Sequence, residues 1–399
     1  MCSKKVLILG ASRYYSKSIE SARNAGYYVI AVDRSPDSEG FKSADEFEIC
    51  DIVDKEGVLK IARKYMVSGV IPVNDYGVPT AAFVASQMKL PAISEETARL
   101  STDKAAMRKK WIESGIPCPC VEIGTTTTEI RDAINKVGIP CILKPAHGYG
   151  GASRGVIVIR EEKEIEYAIK FSHKFYKDKT TLVETFIEAE TEHSVEVLVY
   201  NGKVYVLAVA DKIKTPLPYR VDKNVLYPTI LSGEKLNSLK NIVKESVLSL
   251  GIHIGPAHVE LASTSDGFVL FELGARSGGG GTPEPIVPYV TGIKQFVEIV
   301  RILSGDEPGD LIPRKNYACN YHFITPREGK VKSIKGVEDI KKMKGVLDFD
   351  FFKKPGDEIY PVKVGTDRSG FIIAGAKSRE MAYKLGCIAE QKLEINYEE

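Results

Sequence analysis

Short apolar runs at positions 6–9, 28–32 and 70–73, with a short third strand at 46–50 that carries two glutamates, are separated by stretches with helical spacing. Runs of this length that are apolar throughout predict strands buried on both faces, and their alternation with helices predicts a parallel α/β sheet over the first hundred residues. Beyond that the pattern changes. Apolar runs at 141–144 and 156–160 flank His147-Gly148-Tyr149-Gly150-Gly151-Ala152-Ser153-Arg154-Gly155, which reads as a glycine-rich β-hairpin. One strand ends in Leu182-Val183-Glu184-Thr185-Phe186-Ile187-Glu188, and another begins at Glu192-His193-Ser194-Val195-Glu196. Runs at 257–262 and 267–273 flank Ser265-Asp266-Gly267, a turn whose glycine can take φ > 0. Leu236, Leu239, Ile242, Val243, Val247 and Leu250 recur at helical spacing and form a core face. A boundary falls at 91–103, ahead of a charged helix predicted over 103–114.

The turn after the first strand, 10–16, stands where a dinucleotide-binding fold carries its glycines, and Asp33 ends the second strand where a ribose-binding acid would stand. Only Gly10 is present, so the fingerprint fails. The open helix N-terminus there can still meet an anionic part of a substrate.

Composition narrows the field. At 399 residues the chain is long for one core, and two or three domains are expected. It is 43% hydrophobic and 27% charged with a net charge of +2, which gives no basis for a nucleic-acid surface; the basic run 341–344 is a short solvated one. The seven cysteines (Cys2, Cys50, Cys118, Cys120, Cys141, Cys319, Cys387) are odd in number and lack metal-ligand spacing, so reduced thiols are expected. No apolar run is long enough for a membrane span, and no signal-peptide core follows Met1, so a cytoplasmic protein with no membrane partner is expected.

The chemistry concentrates around two glutamates. If residues 264 and 268 pair across the turn, Glu260 and Glu272 stand opposite one another on one face of the ribbon. At about 4 Å and an effective dielectric of about 20 their repulsion is about 4 kcal/mol, which protonation or a divalent cation would relieve. Mg²⁺ takes one or two carboxylates with phosphate oxygens and water, which points to a nucleotide; two solvated surface glutamates are the bland alternative. Arg276 follows four residues later, leading into Gly278–Gly281, where backbone can approach a ligand. The loop 147–155 is not a P-loop, since neither Gly-Lys-Ser/Thr nor a helix follows it, yet its amides can face phosphate oxygens with Lys144 at its root. Lys104 opens the charged helix. Glu184 with the apolar Phe186 and Ile187 can offer an adenine edge and walls, and Glu192 can accept from ribose hydroxyls. His258, two positions from Glu260, reads either as a phosphate contact or as a half-buried strand histidine. Asp211 and Arg220 flank a polar loop, 212–224, that could face an acceptor substrate.

In this order, the elements resemble the ATP-grasp superfamily over nearly the whole chain. Closest in flavour are the L-amino-acid ligases and related carboxylate–amine ligases, which share the phrase Asn74-Asp75-Tyr76-Gly77-Val78-Pro79; the chain is also similar to phosphoribosylglycinamide synthetase and biotin carboxylase. The resemblance implies an α/β pre-ATP-grasp domain (1–98), a two-lobed α+β ATP-grasp domain (99–310) with a lid subdomain at about 118–186, and a small C-terminal α/β domain (311–399). It implies ATP and Mg²⁺ as cofactors, with Mn²⁺ as an alternative ion. Lys104 and Lys144 would contact phosphates under a lid that includes Gly150, Gly151 and Ser153. Glu184, Phe186 and Ile187 would hold adenine, Glu192 the ribose, and Glu260 and Glu272 the metal. Lys144 and Arg276 would be the catalytic groups, Arg276 stabilising an acyl phosphate.

The implied partners are a small carboxylate and a small amine, and a homodimer is compatible with the family. One departure is Gly274, where many members carry Asn as a further metal or phosphate contact. The implied activity is ADP-forming ligation of the carboxylate to the amine. The alternatives are a purine-pathway ligase like phosphoribosylglycinamide synthetase, a nucleotide-binding regulator without turnover, and a nicotinamide-dependent oxidoreductase.

Overall fold

A computed structural model describes residues 3–314 and 317–398, with 148–150 described by their backbone alone. Cys2 therefore lies outside the described residues; the other six cysteines are free thiols.

The expected parallel sheet is present, in the order Glu46–Ile49, Tyr28–Asp33, Lys5–Leu9, Gly69–Pro72. Three of its four strands are buried on both faces because helices Lys55–Tyr65 and Val78–Met88 cover one side and Ser16–Asn24 packs toward the other, while the edge strand Glu46–Ile49 is largely exposed. Asp33 serves the fold: its carboxylate accepts from the Ala11 amide at 2.8 Å and ties down the first turn.

Four antiparallel strands form a second sheet, Val121–Gly124, Thr181–Thr185, Cys141–Pro145, Ile157–Ile159, backed by helices Thr127–Val137 and Ile165–Ser172. A third sheet has eight strands, all paired antiparallel. It runs from Gly267–Gly274 through Gly255–Thr264, Thr191–Tyr200, Lys203–Lys214 and Asp222–Tyr227 to Ala318–Ile324, Gly370–Ala376 and Val346–Phe351. One face buries Val195, Val197 and Val199 against helices Lys104–Glu113 and Gly233–Ser249. The core on the other side joins Leu198 and Tyr227 to Val6, Ile71 and Phe371 from opposite ends of the chain. Leu239, Val243, Val247 and Leu250 occupy the first of these cores as the helical spacing predicts, with Leu236 and Ile242 at its margin.

The helix expected over 103–114 is present as Lys104–Glu113, with Asp103 capping it by accepting from the amides of Ala105 and Ala106. Three local features differ from expectation. The boundary segment 91–103 contains a helix of its own, Glu95–Thr102. The polar loop expected over 212–224 is mostly strand, because Lys212, Lys214 and Asp222 neutralise one another on the ladder, leaving 215–221 as the loop. The glycine-rich hairpin forms, but its tip coils into 3₁₀ turns, Gly148–Ser153, with Ala152 and Ser153 at φ 61° and 58°.

Candidate active site

The hairpin carrying Glu260 and Glu272 is tighter than its sequence suggests. Thr264 pairs with Gly267, so only Ser265 and Asp266 make the turn; carried along the strands, that register would set Glu260 against Phe271. A β-bulge at Phe271 inserts one residue, and from there Glu260 faces Glu272 and His258 faces Gly274. The expected opposition thus arises from a tighter turn plus a bulge. The bulge also turns the Phe271 carbonyl to Arg108, which donates to it, while the Phe271 ring lies under the Lys144 ammonium at 5.4 Å.

Each carboxylate of the pair meets its own amine. Lys104 Nζ is 2.6 Å from Glu272 Oε1 and Lys212 Nζ is 2.6 Å from Glu260 Oε1. The lysine side chains are 6% and 2% exposed and the glutamates 34% and 29%, so the acids face the cleft and the amines stand behind them. His258 bridges Glu196 (2.6 Å) and Glu260 (3.3 Å). Burial by itself lowers the imidazole, but Glu196 and Glu260 outweigh it and raise it to about 9. Burial pushes Glu260 upward, and Lys212 with His258 and Lys214 holds it well below the usual carboxylate range.

The facing lobe repeats the theme. Glu184 is wholly buried between Arg108 Nε at 2.8 Å and Lys144 Nζ at 2.7 Å, which overcome its desolvation and keep it ionised. Glu192 lies between Lys214 (3.0 Å) and Arg220 (2.5 Å). Phe186 commits its amide to the Pro140 carbonyl, and Ser153 donates its hydroxyl to the Arg220 carbonyl, closing the glycine loop onto the larger sheet. Arg154 donates to the Tyr76 hydroxyl at 3.0 Å, a further tie between that loop and the first domain.

Arg276 is forked onto Asp75 through Nε (3.0 Å) and Nη2 (2.9 Å). A side chain at residue 274 would intrude here, since a Cβ would lie 2.8 Å from Asp75 Oδ1 and 3.2 Å from Arg276 Cζ. Gly278 likewise has no room for a side chain: its amide donates to Glu196 at 3.0 Å, and a Cβ would meet the same carboxylate at 2.4 Å.

One cleft between the two antiparallel sheets is lined by Lys104, Lys144, Gly151, Ser153, Glu184, Phe186, Ile187, Glu192, His258, Glu260, Glu272 and Arg276. Gly150 lies in the backbone-only segment. Asp211 sits elsewhere, buried with His193 (2.9 Å) and Arg379 (3.0 Å), while Arg220 does reach the cleft. Sequence reasoning missed Arg108, one helical turn from Lys104 and so on its face, where the i, i+4 spacing was a usable signal. It missed Lys212 and Lys214 by reading their strand as loop, and it assigned no role to Asp75. Asp222 and Arg368 carry no local signal.

The ATP-grasp domain family matches residues 137–284, and the L-amino acid ligase C-terminal domain 2 family matches residues 322–398. The chain thus carries an ATP-grasp domain over residues 137–284. The uncharacterized protein y4rH of Sinorhizobium fredii is 23% identical over 95% of this chain and 80% of its own length. The L-arginine-specific L-amino acid ligase of Bacillus subtilis is 24% identical over 77% of this chain and 75% of its own length. The crystal structure of an L-amino acid ligase from Bacillus licheniformis superposes with a TM-score of 0.86 at 23% identity, covering all of both chains.

In this cleft the donor set suits a hard cation. Glu260 and Glu272 present oxygens from opposed strands, backed by lysines that now neutralise them. Among the described residues no cluster of three or more His, Cys, Asp or Glu side chains could enclose a metal unaided, so phosphate oxygens and water would complete its shell. Among the described residues no helix is long and apolar enough to cross a membrane.

Proposed function

We propose that this ATP-grasp protein is an ADP-forming carboxylate–amine ligase of the L-amino-acid-ligase type. The observation that carries the reading is the opposition of Glu260 and Glu272 in a cleft that also holds Lys104, Lys144 and Arg276. Nucleotide-bound Mg²⁺, or Mn²⁺ with the same hard oxygen ligands, would displace Lys104 and Lys212 from the two glutamates. Lys104 would then be free for phosphate oxygens beside Lys144, which bends from Glu184 toward the same charge. Glu192 meets the ribose hydroxyls, and the strand end at Phe186 and Ile187 gives the adenine its wall.

ATP would supply the phosphoryl group that turns the carboxylate into an acyl phosphate, releasing ADP; the amine then attacks the acyl carbon, the C–O bond to phosphate breaks, and the amide forms with loss of inorganic phosphate and a proton from nitrogen. The chain's own work is to position and to shield. Arg276, held by Asp75 and by the Ser277 carbonyl, which accepts from Nη1 at 3.0 Å, would turn its remaining N–H groups to the acyl oxygens, and loop 147–155 excludes water that would hydrolyse the activated acid. The test is a screen of carboxylates crossed with amines, including free amino acids and glycine with phosphoribosylamine, following ADP, phosphate and amide. Stoichiometric ADP, phosphate and amide are expected. AMP and pyrophosphate, or no nucleotide cleavage with any pair, would overturn the reading.

A further inference from the structure

Residues 117–120 carry the chain from one lobe of the cleft to the other. At one end Leu270 of the eight-stranded sheet donates its amide to the Pro117 carbonyl at 2.9 Å, and at the other Thr185 of the second sheet donates to the Cys120 carbonyl at 3.1 Å. Pro119, between them, lines the cleft. Arg108 bridges the same junction one residue away on each side. Its Nη2 donates to the carbonyl of Phe271, next to Leu270, and its Nε lies 2.8 Å from the carboxylate of Glu184, next to Thr185. The guanidinium is wholly buried, 5.2 Å from the centroid of the Trp111 ring, and does not line the cleft itself.

The two groups that Arg108 holds flank the two halves of the site. Phe271 is the bulge residue, and Glu272 follows it directly. If the extra residue stood one position later, Phe271 would face Glu260 and Glu272 would be left out of the pairing. Glu184 holds Lys144 on its other oxygen at 2.7 Å and leads into Phe186 and Ile187 on the cleft wall. Stability alone does not call for a charge at residue 108, since apolar side chains of similar volume commonly replace a buried ion pair without loss. The two nitrogens reach groups on different lobes, which a single ammonium cannot do.

We propose that Arg108 is a positioning residue that couples the nucleotide lobe to the metal carboxylates. It fixes Lys144 and the strand end 184–187 at a set distance from Glu272, so that Mg²⁺ carried on nucleotide phosphates meets its carboxylate. By reciprocity, Mg²⁺ then tightens the nucleotide. The inference rests on the nucleotide and metal part of the ligase reading and not on the identity of the acid or the amine.

The experiment is calorimetric titration of the full-length protein with a non-hydrolysable ATP analogue, in EDTA and again with saturating Mg²⁺. Mg²⁺ should tighten the analogue at least about tenfold in the parent and less than about threefold in Arg108→Lys, whose affinity in EDTA should stay within about threefold of the parent's. Glu184→Asp, which withdraws the carboxylate at the other end of the bridge, should also reduce the gain, and it decides the matter if Arg108→Lys does not fold. An arginine that served the fold alone would lower the melting temperature on substitution and leave the gain intact. A gain equal to the parent's in either folded variant, a loss confined to the affinity in EDTA, or a parent with no gain would overturn the assignment. A parent that binds no analogue would sink the nucleotide reading as well, and the ligase chemistry fails separately, as an absence of ADP formation in the substrate screen.

Discussion

Asp75 holds Arg276 by two edges at once, its two carboxylate oxygens each accepting from a different guanidinium nitrogen. The forked contact leaves the arginine little freedom to turn. Burial pushes the Asp75 carboxyl upward, but Arg276 outweighs it and keeps it below its ordinary value. Asp75→Asn should therefore leave nucleotide affinity near that of the parent and lower kcat by about one to two orders of magnitude. Initial rates of ADP release alongside equilibrium binding of the ATP analogue measure both. Unchanged kcat would remove Asp75 from the positioning of Arg276.

Gly274 lies against that pair. Replacement by Asn, the commoner residue in the family, would drive a Cβ to 2.8 Å from Asp75 Oδ1, and that atom is fixed by the fork. Gly274→Asn should therefore lower kcat and leave Mg²⁺ affinity no tighter, and Gly274→Ala should already show most of the loss. Tighter Mg²⁺ binding with full turnover would contradict this, as read by metal titration and steady-state kinetics.

Glu272→Gln should abolish most Mg²⁺-dependent turnover. Its effect on stability without metal is set by Lys104, which lies behind Glu272 at 2.6 Å and is 6% exposed. Relief of the repulsion between glutamates is the smaller effect, because each glutamate already has its own amine. The variant should lose about 1–3 kcal/mol of metal-free stability through the unpaired lysine. Denaturant unfolding in EDTA checks the sign, and a variant as stable as the parent would refute it.

Glu184 supplies a pH dependence. Its pKa is lowered in the folded chain, so the stability it contributes is present above about pH 4.5, the carboxyl's ordinary value, and is lost as pH falls through the lower folded value. Glu184→Gln leaves Arg108 and Lys144 without their shared anion and should cost about 3–5 kcal/mol at neutral pH. The gap in melting temperature between parent and variant should be constant from pH 7 to about 5 and narrow below about 4.5. A gap independent of pH down to 3 would mean that Glu184 is not ionised in the fold.

Loop 147–155 should exchange its amides quickly alone and slowly with Mg²⁺ and ATP bound, since among the described residues its ties to the rest of the molecule include polar contacts at or near the surface, such as Ser153 to Arg220 and Arg154 to Tyr76. Equal exchange in both states would deny it a covering role.

The parallel sheet was legible because three of its four strands are short apolar runs between helical stretches, whereas the opposition of Glu260 and Glu272 was reached through a turn register one residue too wide, an error that the bulge happens to offset. The bulge at Phe271 was not legible, since it answers to Arg108 on a distant helix. Lys212 was misread because a lysine in a strand looks like loop until Glu260 and Asp222 are seen beside it. Arg368 could not be found at all: its surroundings, Phe323 and Asp222, come together only through pairing of distant strands.

The eight-stranded sheet draws its last three strands from beyond residue 310, and Ala318–Ile324 covers the outer rim of Asp222–Tyr227. A chain ending at residue 310 would lay that rim bare, with four ladder positions, Asn224 through Tyr227, offering their amides and carbonyls to solvent. Such an edge templates pairing with another chain. Shortened forms should therefore self-associate into insoluble assemblies rather than give a smaller soluble ligase, and the tail acts as the sheet's guard against its own copies.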